Sequence, residues 1–168
     1  MTVIVNAQTL TLTIGGNAYP CRIGRDGFID KNLGREGDWK TPLGTYAFRY
    51  GFYRADRLPP PRSALQFLAL KPNDGWCDAA HDIAYNLPVR LPYCASAEAL
   101  WKDSGVYDVV VVLGHNDSPP KSEHGSAIFL HICHIDETPT AGCIAVTPDV
   151  MALLLPKARP DMTLKIIA

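Results

Sequence analysis

The chain reads as mainly β, a sandwich or barrel with two short helices. Three observations predict that class. Short runs with period-two alternation or β-branched composition recur along the 168 residues. Turn residues, with 13 Gly and 14 Pro, separate them. Only two stretches carry helix-start chemistry. No internal repeat, linker or composition break divides the chain, so residues 1–168 are expected to form one domain, long enough to bury a core.

Taken in order, Met1–Asn6 alternates like a first strand. Thr9–Ile14 alternates again, Gly15-Gly16-Asn17 is a hairpin-type turn, and Ala18–Ile23 is the returning strand. Residues 24–44 are rich in glycine, charge and turn formers, which predicts a long functional surface loop. Thr45–Tyr50 reads as a strand, Pro59-Pro60-Pro61 as a rigid linker or edge, and Leu65–Leu70 as a further strand. Ser96–Trp101 reads as a helix capped by Ser96. Val109–Leu113 is β-branched and apolar throughout, hence a central strand buried on both faces. Ala127–Cys133 and Ile144–Val146 are strands. Thr147, with Pro148 at the first helical position, opens a helix to Leu155, and Thr163–Ile167 closes the chain as a strand.

The bulk numbers exclude several classes. Apolar residues at 47% and charged ones at 20% are globular values, not those of a disordered chain. A net charge of −1 leaves no electrostatic footprint for nucleic acid. No apolar run approaches the length of a membrane span. Met1–Asn6 lacks the features of an export signal, so a cytoplasmic location is expected if Met1 is the native start and a periplasmic one otherwise. Five cysteines, odd in number and without a CxxC pair, fit a reducing compartment with one working thiol and several packing ones.

Chemistry concentrates near the C-terminal third. An apolar strand runs into His131, and Thr140-Ala141-Gly142 opens onto Cys143. Two neighbouring strands can bring that imidazole and thiol together, and an imidazole can generate the thiolate that acyl transfer needs. Strand alternation puts His131 on one face with Phe129 and Cys133, and Leu130 and Ile132 on the other. Gly142 permits close approach of a substrate carbonyl, and main-chain N–H groups at Gly142 and Cys143 are candidate oxyanion donors. Each feature has a bland counterpart: a bonded core histidine, and a packing cysteine after a turn.

This pattern resembles the L,D-transpeptidase (YkuD) family, whose signature is a strand histidine followed by Ser-His-Gly-Cys-Ile-Arg. His131 matches the strand histidine and Gly142-Cys143-Ile144 the Gly-Cys core. Gly37-Asp38-Trp39-Lys40-Thr41-Pro42-Leu43-Gly44 resembles the family's Gly-Asp-Gly-x-Thr-Pro-x-Gly segment. Asp74–Asp78 and Val112–Asp117 resemble segments of its shorter bacterial members. Thr140-Ala141 replaces the Ser-His, and Ala145 stands where the family often carries Arg or Asn. The resemblance implies an L,D-transpeptidase-like β-fold, Cys143 as nucleophile, His131 as base and the Ile132 carbonyl as the third member. The implied substrate is a peptidoglycan stem tetrapeptide or muropeptide, which loses its terminal D-alanine to water or exchanges it for an amine, with no metal or organic cofactor. Hydrolytic trimming by an L,D-carboxypeptidase is favoured over cross-linking.

Other positions carry two readings each. His115 and Asn116, with Thr140 and Ala141, are candidate substrate contacts; the Gly114-His115-Asn116-Asp117 run also reads as a turn. Trp39, Trp76 and Tyr107 line a peptide groove or pack in small clusters. Arg35, Asp38 and Lys40 contact substrate carboxylates or form a solvated loop. His124 and His81 read as loop residues, and His134 as facing away from the site. A zinc site drawn from His124, His131, Cys133, His134 and Cys143 is a rival of another class, but no recurrent zinc spacing is present. An inactive peptide-binding module is the third reading. The sequence leaves the oligomeric state open.

Overall fold

The computed structural model describes residues 2–133 and 138–168. In chain order, β1 (Thr2–Asn6), β2 (Thr11–Ile14) and β3 (Asn17–Pro20) are followed by β4 (Phe28–Asp30) and the long β5 (Thr41–Tyr53). Next come β6 (Phe67–Ala69), β7 (Asp74–Cys77), β8 (Pro88–Arg90) and β9 (Ala97–Ala99). β10 (Val109–Leu113), β11 (Phe129–Ile132) and β12 (Ile144–Val146) lead to α1 (Pro148–Leu154), a 3-10 turn at Leu155–Lys157 and β13 (Thr163–Ile167).

The main sheet runs β12-β11-β10-β5-β13-β1-β2-β3, with β4 and β6 also pairing with β5. Its two ends approach each other. Arg22, just past β3, exchanges hydrogen bonds with Ala145 of β12 at 2.8 and 2.9 Å, and Gly24 bridges to Thr140. The sheet is thereby nearly closed into a barrel, which satisfies edges that would otherwise be exposed. Inside lie Val3, Val5, Leu12, Phe48, Leu130, Ile132, Ile144, Leu164 and Ile166, plugged by Val150, Met151 and Leu154 of α1.

The predicted mainly-β class therefore holds, and the five residues of β10 are all buried in the middle of the sheet. Val109, Val111 and Leu113 face the barrel core, whereas Val110 and Val112 face a second apolar cluster with Phe52, Trp76 and Phe129. That second cluster packs beneath a separate small sheet ordered β8-β7-β9.

Four local expectations are corrected. Ser96–Trp101 is not a helix: Ala97–Ala99 is β9, pairing antiparallel with β7 through Cys77↔Ala97, Trp76↔Glu98 and Gly75↔Ala99. Ala and Glu favour helix in isolation, but ladder bonds to a buried strand override a weak propensity. Among the described residues one α-helix remains, α1, where two short helices were expected. Pro148 opens it, but the Thr147 side chain makes no cap hydrogen bond. The predicted loop 24–44 contains β4 and the start of β5, which pair in parallel from Phe28↔Thr41. The Asp74–Cys77 and Pro88–Arg90 strands carry too little alternation to announce themselves.

Candidate active site

β11 and β12 run parallel with Leu130↔Ile144, His131↔Ala145 and Ile132↔Val146 in register. Alternation sends Leu130, Ile132, Ile144 and Val146 into the barrel core. His131, Ala145 and Cys143 consequently share the opposite face, Cys143 lying diagonally across from His131. Both line a cleft of about 720 Å³ roofed by the small sheet and by residues 138–141. Cys143 is 7% exposed and His131 is 7% exposed.

The loop before the thiol is held from three sides. Thr41, fully buried, donates from Oγ1 to the Gly142 carbonyl at 2.8 Å and accepts from Gly24 N–H at 2.8 Å. Thr140 Oγ1 donates to the Cys143 carbonyl at 2.6 Å and accepts from Gly142 N–H at 3.1 Å. Thr140 N–H donates to Ile23 O at 3.0 Å. Gly142 has φ +141, and a Cβ there would lie 3.0 Å from Lys40 O and 3.3 Å from Ile128 Cδ1. The glycine is needed for both reasons.

The thiol itself is bonded to the main chain. Phe129 N–H donates to Sγ at 3.3 Å, and Sγ donates to Ala127 O at 3.0 Å. Ala127 sits at φ +53, unusual for a residue with a Cβ, and this turn presents its carbonyl to the sulfur. Its N–H is held by Asn86 Oδ1 at 3.0 Å, which also accepts from Trp76 Nε1 at 2.9 Å. Asn86 Nδ2 donates to the carbonyls of His115 and Asn116 at 3.0 and 2.8 Å. Asn86 is thus a buried hub behind the thiol, and no motif in the sequence marks it.

His131 donates from Nδ1 to Ile132 O at 2.8 Å, since a carbonyl only accepts. Burial holds the imidazole below its ordinary range, opposed by backbone hydrogen bonds to Ile132 and Val106. Burial likewise pushes the Cys143 thiol up to about 12, aided by the nearby Glu98 charge and opposed by Phe129 N–H and the Tyr107 hydroxyl. Burial thus disfavours the charged form of each group, the thiolate and the imidazolium alike. No hydrogen bond joins the two side chains among the described residues. They meet instead across Tyr107, whose ring lies edge-on to His131 at 5.1 Å and whose hydroxyl donates to Glu98 Oε1 at 3.0 Å.

The remaining sequence-predicted positions divide. Thr140 and Ala141 line the cleft. His115 and Asn116 do not. His115 donates from Nε2 to His124 O at 3.1 Å, and Asn116, at φ +46, bonds to Lys121 and Gly125 and organises a turn. Trp39 and Tyr107 line the cleft, while Trp76 is core. Asp38 caps its own loop at Arg35 and Lys40 N–H. His81 bonds to Ser122 Oγ. His134 lies outside the described residues, among which no group of three His, Cys, Asp or Glu side chains is placed to hold a metal ion. Glu98 and Lys102 were missed because the segment leading to them reads as a helix.

A nearly closed β-barrel with a thiol and an imidazole on one face of adjoining strands, opening to a cleft of about 720 Å³, defines the class. The family model for the L,D-transpeptidase catalytic domain, YkuD, matches residues 1–166, and the chain belongs to that family. No curated protein sequence matches it. Similar solved structures include L,D-transpeptidase 1 of Mycobacterium tuberculosis, at 11% identity and TM-score 0.45 over 99% of this chain and 61% of that one. Bd1075 of Bdellovibrio bacteriovorus is 16% identical with TM-score 0.48, over 99% of this chain and 47% of that one. The helical cell shape determining protein Pgp2 of Campylobacter jejuni is 13% identical with TM-score 0.44, over 98% and 46%. The chain thus spans 46–61% of the length of these proteins.

Proposed function

We propose that this chain is a cysteine acyl-transfer enzyme acting on peptidoglycan stem tetrapeptides, and that water resolves its acyl-enzyme, making it an L,D-carboxypeptidase. The observation that carries the reading is Cys143 and His131 on one cleft-facing surface of β11 and β12, with the imidazole pinned at Nδ1 by Ile132 O.

In this mechanism substrate entry displaces the Cys143 Sγ hydrogen bond to Ala127 O, and His131 takes the thiol proton. Ile132 and Val106 both favour the protonated ring, so they stabilise the imidazolium that proton transfer creates. Phe129 N–H, already on the sulfur, stabilises the thiolate. Thiolate attack on the carbonyl of the L-centre yields a tetrahedral oxyanion. Gly142 N–H is engaged by Thr140 Oγ1, which leaves Cys143 N–H as the main-chain donor for that oxyanion. Collapse breaks the amide bond, the imidazolium protonates the departing D-alanine amine, and the thioester remains. A cleft of about 720 Å³ has room for a stem peptide beside the thiol.

The test is mass spectrometry of the protein with stem tetrapeptide, with and without added D-amino acid. Tripeptide plus free D-alanine, absent with a folded Cys143→Ala protein, is the expected outcome. Exchange or dimer products replace the carboxypeptidase with a transpeptidase. Full turnover by Cys143→Ala removes the mechanism.

A further inference from the structure

The walls of the cleft carry more charge of one sign than an anionic peptide would favour. Glu36, Asp78 and Glu98 face it, against Lys102. Asp78 Oδ1 is buried without a hydrogen-bond partner among the described residues. Glu98 reaches the site through Tyr107: its Oε1 accepts from the Tyr107 hydroxyl at 3.0 Å, and Tyr107 in turn packs on His131. The same Oε1 is 3.2 Å from Lys102 Nζ, and that ammonium also lies 5.6 Å from the centre of the Tyr107 ring. A carboxylate beside an aromatic face is a recognition site for an alkylammonium ion, and here the chain's own lysine is the cation. Glu98 and Lys102 side chains remain 28% and 33% exposed, so the pair is open to exchange with a ligand.

We propose that Glu98, with the Tyr107 ring, is the docking site for a primary ammonium group on the substrate, and that Lys102 occupies it when the cleft is empty. This rests on the reading of Cys143 as nucleophile of a stem-peptide enzyme and names the part of that substrate it selects: the free amine of the diamino acid. Displacing Lys102 onto a substrate carboxylate gives the zwitterionic end of a diamino acid a partner for each charge. Glu98 is also one of the causes that hold the thiol protonated.

The experiment needs no peptide substrate. Cys143 is modified with 2-aminoethyl methanethiosulfonate or its neutral 2-hydroxyethyl counterpart, each forming a mixed disulfide and releasing methanesulfinate. Rates at Cys143 are read by peptide mass spectrometry, which separates it from the exposed Cys94. The ratio of cationic to neutral rates cancels any change in thiol acidity. A ratio of about fivefold or more in the wild type, falling toward one in Glu98→Gln and rising in Lys102→Met, is expected. A ratio near one in the wild type, or one unchanged in Glu98→Gln, overturns the assignment. Lys102→Met keeps the test decisive if Glu98→Gln misfolds, because removing the resident ammonium must raise the preference. A retained ratio without tetrapeptide turnover sinks the proposed function alone; turnover with a ratio of one sinks only the docking site.

Discussion

Thr41→Val is the sharpest probe of how the barrel holds its thiol loop. The residue is fully buried, and its hydroxyl links Gly24 N–H to the Gly142 carbonyl, both at 2.8 Å. Valine keeps the shape and removes the hydroxyl, so two buried main-chain groups lose their partner at once. Each unsatisfied group costs about 1–3 kcal/mol, which sets the expected loss at about 3 kcal/mol. For a chain of this size that lowers Tm by roughly 6–12 °C. Thr41→Ser keeps the bridge and loses one methyl, for a cost of about 1 kcal/mol. Urea unfolding with an unchanged m-value separates the two variants. If Thr41→Val unfolds within about 1 kcal/mol of Thr41→Ser, the hydroxyl bridge is not what fixes Gly142 and the argument fails.

Three further outcomes are expected. Gly142→Ala, forced to hold φ +141 with its Cβ 3.0 Å from Lys40 O, should lose at least tenfold in turnover, since a small displacement at the reacting atom is costly; wild-type kinetics in a folded variant would show the loop is not so tightly held. His115 and His131 are both held below their ordinary 6.5 by burial. The unfolded chain therefore binds more protons below about 6.5, and stability, read as the urea midpoint, should rise with pH up to that value and flatten partly in His131→Gln. Above about pH 9 the sign reverses: the Cys21 and Cys143 thiols are raised to about 12, so the native state keeps its protons and stability falls toward that pH. A flat urea-midpoint profile over pH 5–10 would contradict both burial effects.

The sequence carried most of the barrel because its strands alternate against a single core. Thr11–Ile14, Val109–Leu113, Phe129–Ile132 and Thr163–Ile167 all lie inside the runs read as strands. The small sheet was not legible, since Asp74–Cys77 and Ala97–Ala99 are short and owe their form to pairing with each other. That failure reached the site. Glu98 lies on a strand whose composition reads as a helix, so its place in the cleft is not legible from the sequence. Tyr107 had two readings, groove or packing, and does both: its ring packs on Phe129 and His131 while its hydroxyl faces Glu98. Asn86 and Thr41 act through main-chain partners 30 and 101 residues away, and no local pattern encodes such contacts.

The same core that hid those contacts also explains why the thiol and imidazole meet. In β11 and β12 the fully buried Leu130 and Ile144 face the barrel, together with Ile132 and Val146. Period-two alternation then leaves His131 and Cys143 no choice but the cleft. A one-residue slip of either strand would push a polar side chain into the barrel and a large aliphatic one into the cleft. Burying an unpaired imidazole there costs several times what a methylene gains. Register is therefore enforced by the apolar residues between the reactive ones. The chemistry of the site depends on side chains that never touch it.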